Sequence, residues 1–69
     1  MYYIVTELQV NNGTPAVLTQ VYGNRDQAYA KYFTVLAAAA VSSLELHGAY
    51  IATSTGAMLE NHMFDRREE

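Results

Sequence analysis

Few residues in this chain can do chemistry, and the two histidines come first. His47 and His62 both lie in stretches of alternating polarity, with Glu45 two residues before the first and Glu60 two residues before the second. Two imidazoles and a carboxylate make a partial metal set, and near neutral pH the same imidazoles donate hydrogen bonds to an anion. The ordinary reading of such a pair is cross-strand contact between half-exposed strand histidines. With no Cys anywhere in the 69 residues, thiolate ligands, thiol nucleophiles and disulfides are excluded. There is no glycine-rich phosphate loop, no His-Glu-x-x-His and no nucleophile elbow. Ser42, Ser43 and Ser54 fall at a helix end and in a turn, where local hydrogen bonding accounts for serine. The residues therefore point to binding without catalysis, and to no cofactor.

Tyrosine is the other unusual feature: six, with no Trp. A tyrosine ring is a rigid apolar plate with a polar tip, suited to core filling, to a subunit contact or to stacking on a base. Tyr3, Tyr22 and Tyr50 are the candidates for stacking. Arg25, at the start of the predicted helix, and Arg66, near the C-terminal end, are the candidates for holding phosphate, with His47 and His62 beside them. The commoner state of such arginines is a solvated side chain beside Asp26 or Glu68.

The element that organises the rest runs from Asn24 to Ser42. Asn24 is an N-cap, Gln27 stands at N3, and the alanines with Leu36 favour helix over about 17 residues, roughly 25 Å. At about 100° per residue, Ala28, Tyr32, Val35, Leu36 and Ala39 share one stripe, which is assigned to the sheet. Beside it Tyr29, Phe33, Ala37, Ala40 and Val41 continue the apolar arc, and Lys31 is the one charge after Asp26. So broad an apolar circumference calls for burial on a second side, and a chain this short has nothing to supply it. A homo-oligomeric contact through those five residues is the expectation; the alternative is that exposed alanine costs little.

Strands flank the helix. Met1 to Val10 alternates, with Tyr2, Ile4, Thr6, Leu8 and Val10 on one face and Tyr3, Val5, Glu7 and Gln9 on the other. Asn12-Gly13 marks a two-residue type I′ turn, which sets Leu8 opposite Val17, Thr6 opposite Thr19 and Tyr3 opposite Tyr22. Like meets like on the Ile4 face, which is therefore assigned to the helix, leaving Tyr3 and Tyr22 on the far side. Two further strands, 44–53 and 57–64, meet at Thr53-Ser54-Thr55-Gly56. The prediction is an α+β fold of order ββαββ: a four-stranded, mostly antiparallel sheet with one α-helix on one face. Residues 1–64 form the single domain and 65–69 a charged, frayed tail that carries Arg66 and Arg67. Strand order stays open, as does the register of the second hairpin.

Length and charge bound the function. A domain of this size buries only about 60% of its unfolded surface, so oligomerisation is the available reinforcement. A net charge of −3 with four Lys and Arg argues against duplex nucleic acid as a partner. No run is long enough to cross a membrane, and MYYIVTELQV has no basic start or small-residue cleavage site, so the reading is cytoplasmic.

With the strands MYYIVTELQV and TPAVLTQVYG, the helix AYAKYFTVLAAAAVS and LELHGA all in view, the chain resembles small proteins encoded by phages and prophages of gut Firmicutes. The resemblance runs from Tyr2 to about His62 and is one of overall pattern. Among such proteins are immune-signal sponges, the Sequestin and Lockin types, which form symmetric oligomers and bind nucleotide messengers made by TIR-domain defence proteins. The resemblance implies an anti-defence (anti-Thoeris) protein that sequesters an ADP-ribose-type or cyclic nucleotide signal without turnover. The alternative is a phage accessory or structural protein, or an inhibitor that docks on a host protein.

Overall fold

The computed structural model describes residues 1–66. Its elements follow in the order β1 (Tyr3–Asn11), β2 (Thr14–Tyr22), α1 (Arg25–Ala40), β3 (Leu46–Thr53) and β4 (Met58–Asp65). This is the ββαββ α+β fold that the sequence pattern predicts, and the sheet is wholly antiparallel between neighbours, in the order β2-β1-β3-β4.

Asn12 (φ 55°) and Gly13 (φ 79°) make the first turn, and both need the left-handed backbone that a type I′ turn demands. Every predicted partner holds: Leu8 lies opposite Val17, Thr6 opposite Thr19, Tyr3 opposite Tyr22. The second hairpin turns through residues 54–57 with Gly56 at φ 94°, and Gly56 N–H donates to the Thr53 carbonyl (3.0 Å). A register shift between Ile51 and Ala52 makes room for an extra residue in β4, the mark of a β-bulge on an edge strand.

The helix lies on the other face from the one assigned by matching apolar pairs. Val5 is buried with Ala28, Tyr32, Val35, Ala49 and Ile51, and Tyr3, Tyr22, Tyr29, Leu36 and Leu59 pack around them. The Tyr3, Val5, Glu7 face therefore lies under α1, and the Ile4, Thr6, Leu8 face is uncovered. Chirality explains the outcome. A two-residue turn makes Asn11 and Thr14 a hydrogen-bonded pair, so the odd-numbered residues of β1 turn their N–H and C=O groups toward β2. The helix must cross from β2 over β1 to β3, which runs parallel to β2. That crossover is right-handed only with α1 over the odd-numbered face, and right-handed crossovers prevail almost without exception. Packing agrees: Ala28, Ala39 and Ala49 are each fully buried, small residues that let helix and sheet approach closely.

The stripe predicted for the helix is the one that is buried: Ala28, Tyr32, Val35 and Ala39, with Leu36 half-buried. Asn24 Oδ1 accepts from the backbone N–H groups of Asp26 (2.8 Å) and Gln27 (3.2 Å), closing the N-terminus. Residues 65 and 66 belong to the folded unit: Asp65 ends β4, and Arg66 N–H donates to the Glu45 carbonyl (2.7 Å). The rest of the predicted tail, with Arg67, lies outside the described residues.

Candidate functional site

Three places on the molecule gather polar or aromatic groups. At the N-terminal end of α1, the guanidinium of Arg25 sits 5.2 Å from the Tyr29 ring centroid. Hydrogen bonding with the Tyr29 hydroxyl, chiefly, raises the Arg25 pKa further, and the nearby Tyr3 adds to it. Tyr3 and Tyr22, a directly opposed pair, pack against the core at this same end. The expectation that they stand on the side away from the helix is thus corrected. They are half-buried beneath α1, because the chirality of the crossover puts α1 over their face. Tyr22 donates its hydroxyl proton to Gln20 Oε1 (2.7 Å). Arg25, Tyr3, Tyr22 and Tyr29 form a cationic, aromatic corner. Two first-turn N–H groups beside it are already taken by the Asn24 cap.

Midway along the helix-covered face lies a buried acid–base pair. His47 Nε2 meets Glu7 Oε2 at 2.6 Å, with side chains 7% and 15% exposed. Glu7 also accepts from Gln9 Nε2 (2.8 Å). Burial pulls the Glu7 pKa up, but hydrogen bonds from His47 and Gln9, with the charges of His47 and Lys31, bring it below 4.5. His47 Nδ1 is buried with no protein partner. His62 is on the same face, since it pairs with Ala49 while His47 pairs with Phe64, but it is exposed and its ring packs edge-on to Phe64 (4.6 Å). The two histidines are diagonal neighbours in different surroundings, not a matched half-exposed pair. Among the described residues no three His, Asp or Glu side chains are grouped so as to hold a metal ion.

Arg66 works at the opposite end of the helix. Its Nη2 donates to the carbonyls of Ala39 (2.9 Å) and Ala40 (3.2 Å), and its Nη1 to that of Leu44 (3.4 Å). The Ala40 carbonyl is one that the last helical turn leaves without an intrahelical donor, that of Ala39 also accepts from Ser42 N–H (3.2 Å), and that of Leu44 lies in the loop before β3. Tyr50 pairs with Thr6 and so projects from the uncovered face. Of the seven candidate ligand residues, a single copy therefore brings together Tyr3, Tyr22 and Arg25. It places His47 and His62 farther along the same face, Arg66 at the far end, and Tyr50 on the other side of the sheet.

A shallow cleft of about 180 Å³ separates α1 from the β2 edge, lined by Val5, Glu7, Leu18, Gln20, Lys31 and Val35, with Thr19 at its margin. Small-molecule sites commonly occupy roughly 300–1,000 Å³, so this cleft does not enclose a nucleotide. The predicted contact residues of the helix are largely open. Phe33 is 59% and Val41 87% exposed, and Ala37 and Ala40 are exposed; Tyr29 is half-buried, edge-on to Tyr32 and tilted against Phe33. What sequence reasoning missed is the sheet. Ile4, Leu8, Val10, Val17, Val21, Leu46, Tyr50 and Met63 share the face without a helix, and Val17 and Val21 are each 60% exposed.

No family model, curated protein or solved structure matches the chain. Among the described residues no helix is long and apolar enough to cross a membrane.

Proposed function

We propose that this is a non-catalytic binding protein that acts in the cytoplasm as a homo-oligomer, and that its ligand is held where copies meet. The observation that carries this reading is a mismatch of surfaces. The cleft between α1 and the β2 edge is too small for a nucleotide, yet a single copy leaves large apolar side chains open on both layers: Phe33 on α1 and Val41 just past its end, Val17, Val21 and Met58 on the sheet. Apolar surface of that extent marks an interaction site. Catalysis has little support, because the largely buried acid–base pair among the described residues, Glu7 with His47, has its imidazole Nε2 committed to the carboxylate.

The ligand class favoured is a nucleotide signal of the ADP-ribose or cyclic type, as in the phage-encoded sponges that the sequence resembles. The corner of Arg25 with Tyr3, Tyr22 and Tyr29 supports it, since a cation beside aromatic plates suits a phosphate joined to a base. A second copy would have to complete the enclosure. The second reading, an accessory protein or an inhibitor docked on a host protein, draws on β2. That strand is an edge, regular along its length and exposed on both faces, which suits strand addition by a partner.

Native mass spectrometry together with titration calorimetry separates these readings. The expected result is a mass of several chains and heat on adding at least one adenine nucleotide signal. An oligomer that stays heat-silent with all of them leaves the protein-partner reading, and a single chain at every concentration removes the proposal.

A further inference from the structure

The described charges are unevenly distributed. Glu7 and Glu60 project from the helix-covered face, Arg25, Asp26 and Lys31 belong to α1, and Glu45 and Arg66 lie in the segments flanking the strands. On the uncovered face the single described charge is Asp65, at a corner opposite Leu46. The remainder is apolar or neutral, from Ile4 and Leu8 through Val17 and Val21 to Tyr50 and Met63. Even the polar Thr6 in its middle is only 5% exposed, because its neighbours crowd over it.

We infer that this face receives the same face of a second copy, giving a two-fold sandwich of two sheets with one helix on each outer side. The inference rests on the reading of the protein as self-associating and assigns the surface that does it. Three considerations select a second copy as the occupant. The first is electrostatic: a partner chosen by charge finds Asp65 at the corner as the single described charge, and an anionic lipid surface finds no Lys or Arg among the described residues of this face. Two copies of an acidic chain, by contrast, meet with least repulsion through the side from which their charges are withdrawn. The second is area. Four strands about 4.8 Å apart and eight residues long at about 3.3 Å present roughly 500 Å² each, so the pair removes about 1,000 Å² from water. That reaches the lower bound for a specific dimer before side-chain relief is counted.

The third consideration is shape. On β1 and β2 the face carries β-branched Ile4, Thr6, Val10, Val17, Thr19 and Val21, and on β3 and β4 Leu46, Tyr50, Met58 and Met63, side chains that can fill the roughly 10 Å layer between packed sheets. Met63 lies across Gly48: a Cβ at position 48 would run into Met63 Sδ and the His62 carbonyl. An unbranched thioether at that spot can adjust to whatever side chain faces it.

The test is light scattering, at several hundred micromolar, on the wild type, on V17K/V21K and on A40R, with circular dichroism to check folding. Both valines are more than half exposed, so lysine there leaves the monomer's core intact. The expected result is that V17K/V21K falls to the mass of one chain while A40R keeps the wild-type mass. If V17K/V21K keeps its mass and A40R dissociates, the helix face is the contact; self-association survives and the sheet assignment is overturned. A monomeric wild type overturns both. Should the double variant fail to fold, methyl signals of the wild type with a soluble paramagnetic agent decide. Protection of Val17 and Val21 relative to Val41 supports the sandwich, and bleaching of both overturns it. Wild type that binds phosphatidylcholine vesicles in place of self-associating overturns it in favour of a bilayer.

Discussion

Among the described residues, Glu7 and His47 are a titratable pair that meets with side chains only 15% and 7% exposed. The carboxylate is held below its ordinary 4.5 although burial works the other way, because His47, Gln9 and Lys31 stabilise the anion. A group whose folded pKa is depressed stabilises the fold above its unfolded pKa and loses that contribution as pH falls through the folded value. Wild type is therefore expected to lose stability as pH drops from about 4.5, and Glu7→Gln to lose less over the same descent. At neutral pH the variant should be about 1–3 kcal/mol less stable, since His47 would face a neutral amide with Nδ1 already unpartnered. Urea unfolding at pH 7, 5, 4 and 3 checks both; parallel slopes for the two proteins would refute the assignment. His47 stands out in the sequence as a titratable residue in an apolar strand, but its partner does not. The two are 40 positions apart and meet only because β3 lies against β1 with Gln9 opposite His47.

Among the elements, α1 is finished at both ends by side chains from different parts of the chain. Asn24 caps the start, and Arg66, 26 residues beyond Ala40, donates to the carbonyls at the end. A cation there also complements the negative end of the helix. Arg66→Ala is expected to lower stability by about 1–2 kcal/mol, with partial recovery in Arg66→Lys, measured by urea unfolding. If Arg66 instead served a phosphate, stability would hold and only ligand binding would fall. The first cap was readable, since Asn precedes the helix directly; the second was not, since Arg66 follows a strand and looks like part of a charged tail. The first hairpin was readable in full from Asn12-Gly13. The side occupied by the helix was misread because both faces of β1 carry apolar residues, and matched pairs do not rank them. The handedness of the β2–α1–β3 crossover does, once β3 is known to lie beside β1. No local signal in residues 46–53 announces that neighbour.

The whole molecule is thin, 38 × 19 × 15 Å across its Cα atoms, a sheet with a helix on one side. Composition already hinted at surplus apolar surface. Helical periodicity placed it around α1, where the exposed alanines contribute little and Phe33 and Val41 more; the sheet face that chirality left bare adds Val17, Val21 and Met58. On the proposed pairing of two copies, stability becomes a property of concentration. If two copies unfold together, mass action ties the transition to the amount of protein. Each tenfold rise in concentration adds about 1.4 kcal/mol per mole of dimer. For two chains of this length, whose unfolding entropy follows the usual per-residue value, that shift is roughly 5 °C in Tm. V17K/V21K, expected to be a monomer, should melt lower and at a temperature independent of concentration. Scanning calorimetry of both proteins from 10 µM to 1 mM checks this. A wild-type Tm that does not move over that range would mean that one copy carries its bare sheet face alone.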